Sequence, residues 1–196
     1  MKITLKRSLM AVVCVLGMTS FVACDDDDDV KIPPVTTLAV QGNYEGTMTY
    51  EIPNVPVAAA DEEVTPVKVE FTVDGESVRF AKFPVEALIK AIVKDDAQTA
   101  AIIAGIGDVK YAVGYKPVLN EAKTDIEMTL DPKPLVLPQF NIGTSPMQVT
   151  VKISAAKAGN FVVLSNTYDF TLNVTAININ SAEKDTPMVI NLSFKA

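Results

Sequence analysis

Histidine and tryptophan are both absent from this chain of 196 residues, which holds two cysteines and two arginines. Without imidazole it builds neither a Ser-His-Asp nor a Cys-His nucleophile, nor the His-bearing sites of most catalytic zinc enzymes. Ser181-Ala182-Glu183-Lys184 has the spacing of a Ser-Lys acyl enzyme. The S-D-N and K-T-G partners of that chemistry are missing, and a polar stretch just before Pro187 reads as a loop. Acids outnumber bases 24 to 17. Phosphate neutralisation needs clustered Lys and Arg, so no nucleic-acid partner is expected.

What remains for chemistry is carboxylate. A facing pair of acids is the minimum for glycoside hydrolysis, and the candidates are Asp61, Glu62 and Glu63 together with Asp95 and Asp96. The plainer reading makes the first group a solvated loop and the second a helix cap. No tryptophan is available to stack on a sugar ring. Neither group has the D-x-[DN]-x-[DN]-G spacing of a calcium loop. The expectation is a protein that is not an enzyme and has no cofactor and no metal.

The N-terminus carries an address. Lys2, Lys6 and Arg7 form a basic patch, and residues 8–23 (SLMAVVCVLGMTSFVA) an apolar run ending in small residues, the grammar of a secretory signal. Sixteen uncharged residues fall short of the roughly 20 that cross a bilayer. Residues 21–24, FVAC, resemble a lipobox, with Phe21 where leucine is usual. That resemblance makes Cys24 the lipidated first residue of the mature chain and the anchor to a membrane. Cys14 leaves with the signal, so no intramolecular disulfide can form and the mature domain must be held by its own core. Loss of the three signal cations takes the net charge from −7 to −10. Asp25, Asp26, Asp27, Asp28 and Asp29 follow at once; five like charges in a row repel and stay solvated, which suits an export signal better than a preorganised metal site. Residues 30–41, with a Pro pair and little periodicity, read as a linker to a single β-rich domain over residues 42–196.

Period-two alternation dominates that domain. In TPVKVEFTVDGESVRF, Val67, Val69, Phe71 and Val73 share one face, Asp74-Gly75 is read as a two-residue turn with positive φ, and Val78 and Phe80 return on the apolar side. The same grammar recurs from Tyr44, Val109, Ile126, Met147, Tyr168 and Met188, with a phase shift after Val174 read as a β-bulge. Eight or nine strands with one dry face each predict a mainly β fold, an antiparallel sandwich or barrel. Residues 84–105 break the pattern with helical spacing (Val85, Leu88, Ile89, Ile92, Val93), a cap at Asp95 or Asp96, and a stop at Gly105 or Gly107. This inserted segment covers an open end or face of the sheet, or forms a lid over a ligand cavity. Tyr44, Met48, Tyr111 and Tyr115 fall on inward faces, where they serve as core or line a ligand pocket.

The acid run behind the lipobox cysteine resembles the export signal of bacteroidete-type lipoproteins, which sends them to the outer face of the outer membrane. The domain is similar, through NYEGTMTY, FPVEALIKAIV, IGDVKYAVGYKP and EMTLDPKPLVL, to a family of uncharacterised lipoproteins of about 200 residues from such bacteria. The resemblance implies a fold and a location and carries no catalytic residues. GNYEGTMTY also resembles the opening of calycin-like barrels, implying a ligand-binding cup, with Tyr44 where the lipocalin tryptophan stands. Pilin-like subunits that polymerise by strand exchange are a further resemblance. The leading expectation is a lipid-anchored β-domain binding a ligand or protein partner at the cell envelope; the alternatives are an assembly subunit and a carboxylate-dependent glycosidase.

Overall fold

Every second side chain of the alternating stretches meets the same side of the pleat, and burial of that side curls the sheet until it closes. A computed structural model describes residues 34–51, 66–93 and 95–196. The signal, Cys24, the five aspartates, and Asp61, Glu62 and Glu63 lie outside the described residues.

A 3-10 turn (Thr37–Val40) leads into β1 (Gly42–Glu51), β2 (Val67–Val73) and β3 (Ser77–Phe80). Helices α1 (Glu86–Val93) and α2 (Asp96–Ile106) follow, then β4 (Tyr111–Leu119) and β5 (Asp125–Pro132). The short β6 (Leu135–Val136), β7 (Phe140–Ile142) and β8 (Ser145–Met147) precede β9 (Val149–Ser154), β10 (Gly159–Val162), β11 (Thr167–Ile179) and β12 (Thr186–Lys195). Pairing runs β1-β2-β3-β4-β5-β10-β11-β12 and returns to β1, antiparallel throughout. The two expected architectures thus resolve to an eight-stranded up-and-down barrel.

The extra strands extend its wall. β9 and β10 both run antiparallel to β11, at Asn173↔Ser154 and Asn160↔Asp169, and act as one strand interrupted by residues 155–158. β6 likewise continues β5 and pairs with β9, while β7 and β8 form a separate hairpin. The expected bulge lies between Val174 and Ala176 of β11, where both neighbouring ladders shift register.

The hairpin turn differs from expectation. Val73 pairs with Val78, so the loop is residues 74–77, and Gly75 is not among the residues with positive φ. The Asp74 carboxylate accepts the N–H groups of Glu76 (2.8 Å) and Ser77 (2.7 Å). This side-chain clamp replaces the left-handed turn, because aspartate mimics a backbone carbonyl two residues on. Glycine is needed at Gly46, where a Cβ would sit 2.1 Å from the Lys195 carbonyl oxygen as β1 and β12 cross.

The barrel has two poles. One carries the 3-10 turn and the loops at residues 74–77, 120–124 and 163–166; the other carries the helices and the β6 to β9 excursion. In α1, Ala87, Leu88 and Ile89 are fully buried, and Val85 accepts the N–H of Ile89 as its cap, leaving Pro84 just outside the helix. Asp95 caps α2 through the N–H of Gln98 at 2.7 Å, and Gly107 ends it at φ +66°.

Candidate functional site

A ligand cup needs an empty lumen, and this lumen is filled. Phe71 on β2 reaches Phe170 on β11 at 5.8 Å between ring centroids, Phe80 on β3 reaches Phe194 on β12 at 5.3 Å, and Tyr44 on β1 reaches Phe161 on β10 at 6.3 Å. These pairs join strands that are not neighbours in the wall, so the contacts span the interior. Phe83 carries the chain of rings beneath α1, edge-on to Phe80 and Tyr111. The helical segment therefore covers packed core.

The four residues expected to line a pocket separate between the poles. Tyr44 donates its hydroxyl to the Val40 carbonyl (3.1 Å), which Tyr168 also contacts, and Tyr115 donates to the Asp74 carbonyl. Tyr111, at the other pole, donates to the Lys133 carbonyl at 2.6 Å, and Met48 is fully buried. Burial pushes the hydroxyl pKa of each tyrosine upward; the Asp74 charge adds to this at Tyr115, and Tyr44 adds to it at Tyr168. Protonated and hydrogen-bonded, these hydroxyls tie loops to the barrel. Tyr168 was legible as an inward strand residue, but its partnership with Tyr44 across 124 positions was not.

The remaining candidates are at the surface. Asp95 is a helix cap, and Asp96 pairs with Lys90 at 3.1 Å while its side chain stays exposed. The Ser181 to Lys184 motif lies in the β11–β12 turn, with Ser181 at φ +55°. Among the described residues no group of three or more His, Cys, Asp or Glu side chains could hold a metal ion. Carboxyls held below their usual range serve local structure. At Asp74 the causes are the N–H groups of Glu76 and Ser77, then Arg79; at Asp185 they are hydrogen bonds from Lys152 and Asn178.

The feature that sequence reasoning missed is a break in the wall. β3 pairs with β2 only at Thr72↔Arg79 and Val73↔Val78. After Phe80 the chain bends, Phe83 gives its N–H to the Val109 carbonyl (2.7 Å), and Pro84 has no N–H to give. Among the described residues, 67–71 of β2 therefore have ladder partners on β1 alone. A groove of about 310 Å³ opens beside this edge, lined by Val67, Val69, Phe83, Val85 and Ile103, with Lys68 and Glu70 on its lip. The sequence signal was the shortness of β3 before Phe83-Pro84.

Apolar inside and polar outside is the reverse of a barrel whose wall faces lipid. Glu45, Lys68, Glu70, Arg79, Lys110, Lys116 and Glu127 all point outward. The class is a water-facing up-and-down β-barrel with an aromatic core and a helical cap. Residues 39–179 match the model of a domain of unknown function, DUF4840, and the chain belongs to that family. No curated protein and no solved structure matches it.

Proposed function

We propose that this is a lipid-anchored protein of the cell envelope, tethered to the outer membrane through Cys24, carried to the cell surface by Asp25 to Asp29, and acting as a non-enzymatic binder through its outer wall. The observation that carries the binding part is the filled lumen: rings from opposite strands meet across it, so recognition falls to the outside. The anchor part rests on the lipobox-like FVAC and the acid run behind it.

Cys24→Ser tests the anchor. The variant should leave the membrane fraction and lose metabolic labelling by palmitate; a variant still labelled would sink the assignment. Replacement of the five aspartates by alanine should protect the domain from protease added to intact cells, and unchanged digestion would remove their export role.

A further inference from the structure

Resting on the reading of the outer wall as the binding surface, we propose that the break between β2 and β3 accepts an extended peptide, which adds a strand to β2 at residues 67–70, Phe80 holding the place opposite Phe71. Backbone direction supports this. Asp74 donates its N–H to the Ser77 carbonyl, so by strand alternation Thr72, Glu70 and Lys68 aim their backbone groups to the β3 side. Thr72 meets Arg79 there, whereas Glu70 and Lys68 have no ladder partner on that side among the described residues. Two N–H and C=O sets in register, without a ladder partner on that side among the described residues and beside an apolar groove, match an extended backbone and not a helix or a small polar ligand. Four residues give about 14 Å of edge at about 3.4 Å per residue.

The side chains specify the occupant. Val69 faces inward, so the peptide residue opposite it turns into the groove between Phe83, Val85 and Ile103 and is apolar. Glu70 stands beside Glu45 on β1, an acidic pair that favours a base across the new ladder. Lys68 stands beside Thr47 and favours an acid. Neither Lys68 nor Glu70 has an ion-pair partner among the described residues. Read antiparallel to β2 from Glu70 to Val67, the preferred pattern is basic-apolar-acidic-apolar, and any residue before it turns away at Phe80.

The probe is a fluorescein-labelled, end-blocked peptide Val-Lys-Val-Glu-Val, titrated into the purified full chain and followed by fluorescence anisotropy. N-methylation at its Lys and Glu, whose N–H groups face β2, should weaken binding at least tenfold, while N-methylation at the central Val should change it little. The charge-reversed peptide Val-Glu-Val-Lys-Val should bind less well, and K68E/E70K, two outward changes checked for folding by circular dichroism, should reverse that preference. Absence of binding, equal binding of both N-methylated peptides, or an unchanged preference in the swapped variant would overturn the proposal. So would a dimer dependent on Lys68 and Glu70 that excludes the peptide, or binding that appears only after residues 52–65 are replaced by a Gly-Ser tract. Binding in solution does not involve the lipid. A Cys24→Ser chain that binds the peptide but stays in the membrane fraction would refute the anchor alone.

Discussion

Removing the hydroxyls of Tyr44 and Tyr168 together should cost more than the sum of removing each. Both converge on the carbonyl of Val40, a residue with 0% exposure at the end of the 3-10 turn. Tyr44→Phe or Tyr168→Phe removes one buried hydrogen bond worth about 1 kcal/mol net and leaves the carbonyl satisfied by the other hydroxyl. The double variant also strands a buried carbonyl, adding roughly 1–3 kcal/mol for an unsatisfied acceptor. A double-mutant cycle should therefore show coupling of about 1–3 kcal/mol beyond the two singles. Urea unfolding of the purified chain reads it as a shift in midpoint at constant slope, and each kcal/mol moves Tm by about 2–4 °C at this size. Ring volume is conserved by Tyr→Phe, so the aromatic core is not the variable. Additivity within about 0.5 kcal/mol would refute the shared-acceptor argument and mean that water reaches the Val40 carbonyl in the double variant.

The buried tyrosines Tyr111 and Tyr168 set an alkaline limit. Their folded pKa values lie above the unfolded value of about 10, so the unfolded chain loses those protons first. The stabilisation is complete below that pH and is lost as pH rises past it, by up to about 1.4 kcal/mol per pH unit for each of Tyr111 and Tyr168. Thermal melts from pH 9 to 12 should show the fall, with a shallower slope in Y111F/Y168F; an unchanged slope would contradict their role. Gly46→Ala places a methyl against the Lys195 carbonyl and should cost about 2 kcal/mol or more by forcing β1 from β12. Gly105→Ala, in the last turn of α2 with nothing within 4 Å of the added methyl, should instead be neutral to stabilising, by up to about 1 kcal/mol, in the same denaturation assay.

Strand existence was legible because it is local. Val67, Val69, Phe71 and Val73 alternate over seven residues, and the structure buries Val69, Phe71 and Val73 on the inner face. The cap of α2 and the bulge after Val174 were equally readable, since a side chain and its partners lie within a few positions. The turn at Asp74-Gly75 was misread because two mechanisms compete at that dipeptide, left-handed glycine and carboxylate clamp, and the second prevailed. β10 escaped notice: Gly159-Asn160-Phe161-Val162 buries Phe161 but is too short to show a period.

By itself the sequence determined which residues turn inward, which segment is helical, and that this chain has no histidine for its chemistry. Tertiary structure decided the rest: that the sheet closes, that rings from opposite strands fill the lumen, that the tyrosines divide between two poles, and that β3 leaves β2 after two rungs. Each of these depends on pairing between residues far apart in the chain. Alternation specifies which face of a strand is dry, but many registers and neighbours satisfy it equally, and only simultaneous burial of all eight dry faces selects one.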